Sequence, residues 1–383
     1  MGIALVNKNS IYNGIATPRE RTSEHRGRVN LPSGTVVVSA DNHWSFVDDI
    51  FYERFPAHLR DRAPRAVNDD GAFIFHVDGK SLFTRTVSNI LRTHDSVPGN
   101  HRMEQRIKDM DAEGVRKEIV FGNAIGAFYA YPDLEVREWV FRIYNQYMSE
   151  LQQQAPGRFY GVGLINYWEP ERTAESIAEL KKLGLKTFLI PMNPYGAERK
   201  SLSYGDESMN PMWQAIEDSG MPLCFHVGEF ALDGPGGVGL GLFQTFGPFR
   251  KNFGELVFAG IFDRHPNLRV VFVEADLNWI PGALQNAEVL YEVYNKIFEP
   301  QLKHRPSYYW HNNCYATFMS DPIGLKMLDI IGADRVMWTQ DYPHPESLYG
   351  CNWSAIQELM DHVPSEDDVR KILGGTALEL FNL

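Results

Sequence analysis

Residues 34–43 read GTVVVSADNH, and this stretch decides the fold. Its β-branched centre, VVV, does not alternate with polar residues, which is typical of a strand buried on both faces in a parallel sheet. The run then ends in three polar residues, Asp41, Asn42 and His43. We therefore predict a buried parallel strand whose carboxyl end opens into a functional site.

Seven further apolar runs follow along the chain, and helical sequence separates them. Strict alternation of strands and helices indicates a parallel sheet, and eight such units indicate an α/β fold of the (β/α)8 TIM barrel type. An open doubly wound sheet is the alternative, but no GxGxxG motif follows the first strand. The seven runs are 117–122, 159–165, 186–191, 222–227, 268–274, 314–319 and 335–341.

Two segments fall outside the barrel pattern. Residues 1–33 are polar and irregular, so we predict an N-terminal arm that packs on the barrel or on a neighbouring subunit. Residues 44–112 lack clean periodicity until a final helical stretch, so we interpret them as an insertion, or cap segment, after the first strand. The barrel itself is assigned to residues 34–383.

Aromatic and arginine residues are frequent in this insertion. The rings fit either an aromatic substrate or the insertion's own core. The arginines of HLRDRAPR fit either bidentate contacts with a carboxylate or ion pairs on the surface. The rings are Trp44, Phe46, Phe51, Tyr52, Phe55, Phe73, Phe75 and Phe83, and the arginines are Arg60, Arg62 and Arg65.

The composition is that of a globular protein, since 44% of the 383 residues are hydrophobic and 22% are charged. A net charge of −12 argues against a nucleic-acid partner, because nucleic-acid binders are more often basic. No apolar run reaches the ~18 residues of a membrane span, and no secretory h-region is present. Three scattered cysteines without a CxxC pair favour a reducing compartment, so we expect a cytoplasmic protein with no membrane partner.

Ionisable residues stand at the ends of four predicted strands. Active sites of such barrels are built at the carboxyl ends of the strands. On strand one, Asp41 and His43 are two residues apart and so share a face. Each residue alone has an ordinary structural explanation, such as a buried histidine or a helix cap, but together they predict a metal site. The remaining candidates are His226 after strand five, Glu274 after strand six, and Asp341 and His344 after strand eight.

Six motifs carry a resemblance to a known family. HPNLRVVFVEADLNWIP (265–281) and RVMWTQDYPHPES (335–347) are the most specific when taken together, and VVVSADNH, RIKDMDAEGV, MPLCFHVG and VRKILGGTALELF complete the set. The chain resembles the amidohydrolase superfamily, and within it the amidohydrolase-2 group that includes aminocarboxymuconate-semialdehyde decarboxylase and γ-resorcylate decarboxylase. The resemblance extends over residues 34–383 and implies the same barrel fold.

The resemblance also implies a set of metal ligands. The strand-five histidine of the superfamily matches His226, and the strand-eight aspartate matches Asp341. Many members carry H-x-H on strand one, whereas this chain has Asp41 and His43; other members of the group also replace the first histidine with a carboxylate. Two imidazoles and two carboxylates suit Zn²⁺ or Mn²⁺ and do not choose between them.

Two positions depart from the pattern of many relatives. Glu274 stands where many relatives carry a histidine, which removes a strand-six imidazole from the chemistry and leaves open whether Glu274 contacts the metal, the substrate or a histidine. Two-metal relatives bridge their ions with a residue at the end of strand four, whereas Lys186 lies at the beginning of that strand. We therefore predict one divalent ion.

The resemblance implies an enzyme that acts on a small molecule. We prefer a non-oxidative decarboxylase of an aromatic or related cyclic carboxylic acid, in which Asp341 protonates the ring carbon as CO₂ leaves. One alternative is a metal-dependent hydrolase of a C–N, C–O or C–C bond in a small cyclic or aromatic compound. Another is a ligand-binding barrel without catalysis. We expect His344 to orient Asp341 or to contact the substrate, and we expect a homo-oligomer, either a dimer or a tetramer.

Overall fold

The predicted alternation of strands and helices runs through the part of the chain that the computed structural model describes, namely residues 29–228, 235–245 and 249–383. Of the predicted arm, residues 1–28 lie outside the described residues. In chain order the strands are β1 (Val38–Trp44), β2 (Arg65–Asp69), β3 (Ala72–Val77), β4 (Lys80–Ser81), β5 (Lys117–Gly122), β6 (Phe159–Gly161), β7 (Gly163–Leu164), β8 (Phe188–Leu189), β9 (Leu223–His226), β10 (Val270–Val273), β11 (Cys314–Phe318) and β12 (Val336–Trp338).

The helices occupy the segments between these strands. Among the described residues, no helix is long and apolar enough to cross a membrane. The α-helices are α1 (Ile50–Arg54), α2 (Arg85–Asp95), α3 (Met103–Glu113), α4 (Leu134–Gln154), α5 (Thr173–Lys182), α6 (Asn210–Ser219), α7 (Gly237–Thr245), α8 (Phe249–Phe258), α9 (Ile261–Arg264), α10 (Trp279–Tyr294), α11 (Pro306–Asn313), α12 (Pro322–Leu325), α13 (Leu328–Ile331), α14 (Asn352–His362), α15 (Glu366–Arg370) and α16 (Thr376–Leu380).

Eight parallel strand positions form the barrel. One sheet has the order β1-β5-β6, and the other contains β7 to β12 in sequence order. Only Val162 separates β6 from β7, so the two act as one barrel strand that belongs to both sheets. The other seam joins β1 to the segment after β12, because the Asp341 amide donates to the Asp41 carbonyl (3.0 Å) and the His43 amide donates to the Tyr342 carbonyl (2.7 Å). This is the predicted (β/α)8 barrel.

The last strand is shorter than its apolar run predicts. The run extends over 335–341, but pairing with β11 ends at Trp338. Asp341 adopts a left-handed backbone conformation with φ of +56°, which an extended strand does not allow. The carboxylate predicted for the end of strand eight therefore lies three residues beyond it, on a segment that is hydrogen-bonded to β1.

The segment between β1 and α3 contains a small antiparallel sheet, β2-β3-β4, and the helix α2. Its aromatic rings pack on one another, with centroid distances of 5.3 Å between Phe51 and Phe75 and 6.0 Å between Phe46 and Phe75. Phe46 also contacts Tyr144 on α4 at 5.7 Å. These rings therefore form the core of the insertion and its contact with the barrel. Of the two interpretations given for them, an aromatic substrate or the insertion's own core, the second describes these rings.

A fully buried ion pair supports the carboxyl end of β1. Arg106 on α3 donates to Glu118 on β5 at 2.8 Å, and neither side chain is exposed. Arg106 also donates to the His43 carbonyl at 2.8 Å, and the Asn42 amide donates to Glu118 at 2.6 Å. Buried charges are tolerated when they are paired and hydrogen-bonded, as they are here. The pair therefore fixes the backbone of the strand that carries two of the predicted metal ligands.

We expect Arg106→Met to lower the free energy of unfolding by about 3–5 kcal/mol, because it leaves the Glu118 carboxylate buried without its partner. Urea denaturation measures this loss. Lys108→Ala is the matched control on the same helix, since Lys108 forms an exposed pair with Glu104 and its removal should leave stability unchanged. A loss for Arg106→Met no larger than that of the control would contradict the supporting role of the pair.

Candidate metal centre

All six predicted site residues lie in one cluster at the carboxyl end of the barrel. They form two overlapping groups of four, and in each group the potential ligand atoms lie within 4.8 Å of one another. His43 and Glu274 belong to both groups. The first group is Asp41, His43, His226 and Glu274, and the second is His43, Glu274, Asp341 and His344.

The two residues from β1 connect the groups. His43 Nε2 lies 3.5 Å from Asp41 Oδ1 and 2.9 Å from Asp341 Oδ1. Both aspartate side chains are completely buried. The i, i+2 spacing on one strand face thus brings Asp41 and His43 together, and the seam between β1 and the end of strand eight adds Asp341.

Hydrogen bonding determines which nitrogen of His226 is free to bind a cation. Its Nδ1 lies 2.8 Å from the carbonyl oxygen of Val227, so Nδ1 carries the proton of the neutral ring and donates it there. In the neutral ring Nε2 has a lone pair, and it lies 3.1 Å from Asp41 Oδ1. Two acceptors at this distance require a cation or a proton between them, and metal-binding histidines commonly have this arrangement.

Several polar atoms of the cluster lack hydrogen bonds. Among the described residues, Asp41 Oδ2, His43 Nε2 and both carboxylate oxygens of Asp341 are buried without a hydrogen-bond partner. Buried polar atoms are almost always paired, and leaving them unpaired is costly. The atoms are the oxygen and imidazole nitrogen donors that divalent cations bind. The residues therefore fit a divalent metal ion.

The pKa shifts of the cluster also favour a bound cation. Burial raises the pKa of Asp341 well above its ordinary value, and the neighbouring Asp41 carboxylate raises it further. Burial also raises the pKa of Glu274, and the Asp341 carboxylate adds to the shift. Burial lowers the pKa of His43, and the nearby imidazoles of His344 and His226 lower it further. Repulsion among three buried carboxylates is the kind of strain that a bound cation relieves.

The backbone is strained at two of the carboxylates. Glu274 and Asp341 both have φ of +56°, a region that residues other than glycine rarely adopt. Hydrogen bonds hold each in place, because the Glu274 amide donates to Thr317 Oγ1 at 2.7 Å and the Asp341 amide donates to the Asp41 carbonyl. Such strain is typical of functional sites.

Two residues without an assigned role in the sequence analysis contact the cluster through His344. Asn123, directly after β5, has its Oδ1 3.3 Å from His344 Nε2, while His344 Nδ1 lies 3.1 Å from Asp341 Oδ1. His94, at the end of α2, stacks on the His344 ring with centroids 4.1 Å apart. The strand-end rule could have found Asn123, but no sequence signal ties His94 to this site.

Lys186 and two arginines of the insertion lie away from the cluster. Lys186 precedes β8 and lines a cleft with Arg269 and Glu379, so it is at the amino end of its strand. Arg62 pairs with Asp133, and Arg65 donates to Asp49 at 2.5 Å. Arg65 therefore forms an ion pair within the insertion, and Arg62 pairs with the N-cap residue of α4, as the surface interpretation predicted.

The fold and this site define a (β/α)8 barrel with a cluster of buried carboxylates and imidazoles at the carboxyl ends of its strands, where enzymes of this fold build their active sites. The chain belongs to the amidohydrolase family, whose sequence profile matches residues 47–383. This confirms the predicted family.

Two characterised relatives are decarboxylases by name. The γ-resorcylate decarboxylase of Rhodococcus jostii (strain RHA1) is 24% identical over 293 residues, which cover 73% of this chain and 87% of the relative. The 2-amino-3-carboxymuconate-6-semialdehyde decarboxylase of Dictyostelium discoideum is 25% identical over 251 residues, which cover 62% of this chain and 65% of the relative.

Solved structures share the fold. An amidohydrolase from Mycobacterium avium subsp. paratuberculosis K-10 superposes with a TM-score of 0.73 at 18% identity, covering 91% of this chain and 100% of the other. A dihydroxybenzoic acid decarboxylase from Polaromonas sp. JS666, with bound manganese and the inhibitor 2-nitroresorcinol, gives a TM-score of 0.65 at 18% identity, covering 91% and 97%. The barrel prediction is confirmed.

We expect the metal-free protein to bind one divalent ion per chain in calorimetric titrations with Mn²⁺ and with Zn²⁺. His226→Ala should weaken binding by more than about tenfold, because it removes the imidazole whose free nitrogen faces Asp41. His311→Ala is the control, since His311 is an exposed histidine on α11. No binding to the unaltered protein, or equal affinity in both variants, would rule out a metal site at this cluster.

Proposed function

We propose that this chain is a metal-dependent, non-oxidative decarboxylase of an aromatic or related cyclic carboxylic acid. The observation that carries the proposal is the buried cluster at the strand ends, in which several carboxylate and imidazole atoms, including both oxygens of Asp341, have no hydrogen-bond partner among the described residues. Family membership supports an enzyme of this type. The names of the two relatives support decarboxylation as its reaction.

One divalent ion is assigned to Asp41, His43, His226 and Asp341. The mixed nitrogen and oxygen donor set suits Zn²⁺ or Mn²⁺. The manganese in the Polaromonas enzyme supports Mn²⁺. Glu274 belongs to both groups of potential ligands, so we propose it as an additional contact of the ion or of the group that the ion binds.

The proposed mechanism assigns the proton to Asp341. When bound, the ion would supply a chelation point for the substrate carboxylate and a neighbouring hydroxyl. The Asp341 carboxyl group donates its proton to the ring carbon that carries the substrate carboxylate. The bond from that carbon to the carboxylate then breaks, its electron pair restores the ring, and CO₂ leaves. Asp341 is left ionised and takes up a proton before the next turnover.

His344 orients the proposed acid. Its Nδ1 lies 3.1 Å from Asp341 Oδ1, and its Nε2 lies 3.3 Å from Asn123 Oδ1. Asn123 in turn donates from Nδ2 to Ser45 Oγ at 3.1 Å, which fixes the orientation of its amide. The ring is thus held at both nitrogens, and we propose that it keeps the Asp341 carboxyl group aligned with the substrate.

We also propose that the enzyme is a cytoplasmic homo-oligomer, a dimer or a tetramer. The three cysteines are buried thiols outside any disulfide, which suits a reducing compartment. The outer face of α10 exposes Val289 (57%) and Val293 (62%), and Ile297 follows the helix with 75% exposed. An apolar stripe at i, i+4, i+8 is typical of a helix that packs on another subunit, and a second copy is the partner we assign to it.

Asp341→Asn should reduce turnover by about 10²–10⁴-fold, because asparagine has no proton to donate. CO₂ release from a series of hydroxybenzoates measures this, and the thermal unfolding midpoint checks the fold. Asp334→Asn, at an exposed aspartate before β12, is the matched control and should keep full activity. Near-normal turnover in Asp341→Asn would remove Asp341 from the mechanism.

The same assay separates the reaction classes. Amides, lactones and ring-cleavage products are offered beside the hydroxybenzoates, and both hydrolysis and CO₂ are followed. The proposal expects CO₂ from at least one aromatic acid in the presence of Mn²⁺ or Zn²⁺. Turnover of a hydrolysable compound, with no CO₂ from any acid, would overturn decarboxylation and leave a hydrolase.

Val293→Asp should shift the protein towards a monomer in light scattering coupled to gel filtration, because a charge in an apolar interface is not paired. Asp329→Asn, a polar change on α13, is the control and should keep the oligomer. A monomeric unaltered protein, or an oligomer that Val293→Asp leaves intact, would contradict the assignment of this face.

A further inference from the structure

Three imidazoles stack face to face at the edge of the cluster. His43 and His344 have ring centroids 3.8 Å apart with planes inclined by 18°, and His344 and His94 have centroids 4.1 Å apart with planes inclined by 28°. His43 comes from β1 and His344 from the segment after β12, whereas His94 comes from α2 of the insertion. The insertion thus covers the face of His344 that the barrel leaves open.

His94 is almost completely buried, and one of its ring nitrogens lacks a hydrogen bond within the part of the chain that the structure describes. Only 6% of the residue is exposed, and its Nδ1 is buried without a hydrogen-bond partner among the described residues. Burial lowers the pKa of His94 to about 2, with His344 as a second cause, so the ring is neutral. A buried polar atom without a partner is costly, and each such atom needs an explanation.

Asp95, the next residue of α2, is linked to the edge of His344 by a chain of hydrogen bonds. Asp95 Oδ1 accepts from the Asn100 amide at 3.1 Å, and that amide also donates to Ser45 Oγ at 2.8 Å. Ser45 accepts from Asn123, whose Oδ1 faces His344 Nε2. His94 therefore contacts the face of His344, and Asp95 is connected to the edge of that ring through hydrogen bonds.

We infer that His94 is a positioning residue, which holds the His344 ring in the plane that aligns it with Asp341; this role rests on the proposed function of Asp341. The hydrogen bond of Nε2 with Asn123 and the ion-pair contact of Nδ1 with Asp341 fix the rotation of the His344 ring within its plane. They resist tilting out of that plane much less, because a rotation about the line that joins the two partner atoms leaves both distances nearly unchanged. The faces of His43 and His94 oppose the tilt, so removing His94 frees one side of the ring.

The stack is tested with three variants of the full-length, metal-loaded enzyme. His94→Leu keeps apolar volume and removes the flat ring, while His94→Phe keeps a flat ring. Leu91→Ala is the structural control, because Leu91 is buried one turn earlier on α2 and packs with Ala72 and Ile74. Each variant is measured for kcat, KM, metal content and thermal unfolding midpoint.

We expect His94→Leu to lower kcat by roughly 2- to 10-fold, the range that the loss of one aromatic pair allows, with KM and metal content unchanged. His94→Phe should retain kcat within about twofold, the lower bound of that range. Leu91→Ala should lower the unfolding midpoint without lowering kcat. Equal kcat losses in the leucine and phenylalanine variants, or the same loss in Leu91→Ala, would overturn the inference.

A readout without activity separates this inference from the proposed reaction. In metal-free protein labelled with ¹⁵N-histidine, the His344 signal is identified by its absence in His344→Gln. We expect His94→Leu to shift or broaden that signal and His94→Phe to preserve it. If the signal responds in this way but no acid is decarboxylated, the proposed function fails and the stacking role stands. If His94→Leu leaves the His344 signal unchanged, the inference fails, whatever the enzyme catalyses.

Discussion

Repulsion among Asp41, Glu274 and Asp341 is the constraint on which the site depends. These three carboxylates are at least nine-tenths buried, and their oxygens lie close to one another and to imidazole nitrogens with free lone pairs. Like charges at such distances cannot all remain ionised in a poorly hydrated space without a compensating cation. The oxygens of Asp41 and Asp341 that lack hydrogen-bond partners among the described residues agree with the proposed metal site, because carboxylates that bind a metal do not need hydrogen-bond donors at those positions.

The contacts that close the barrel also build the site. The backbone hydrogen bonds between β1 and the end of strand eight involve Asp41, His43 and Asp341, all proposed ligands. On the other side of β1, Asn42 and the His43 carbonyl are held by the buried Glu118 and Arg106. A substitution that removes hydrogen bonds from either side of β1 would move the proposed ligands and would also destabilise the fold. Stability and function therefore depend on the same few hydrogen bonds, and neither can be altered independently there.

The sequence predicted the residues whose place follows from strand geometry. Asp41 and His43 follow from the i, i+2 spacing, and His226 and Glu274 follow from the ends of apolar runs. It did not place His94, because α2 reaches the cluster only through tertiary packing of the insertion. The strand at 335–341 was predicted too long, since apolar residues say nothing about the left-handed backbone of Asp341. Whether an aromatic residue such as Phe75 lines a pocket or a core likewise depends on packing partners far away in sequence.

The barrel and the insertion contribute different kinds of group. The carboxylates come from the barrel, whereas the insertion brings the neutral ring of His94 and the amide of Asn100 towards His344. A third residue from the insertion, Asp95, accepts a hydrogen bond from the Asn100 amide at 3.1 Å and so holds that amide in place. This division places the proposed metal ligands on the barrel and the contacts that support His344 on the insertion. It also explains why the insertion needs an aromatic core of its own, since two consecutive residues of α2 act on one imidazole only if the helix is held rigidly.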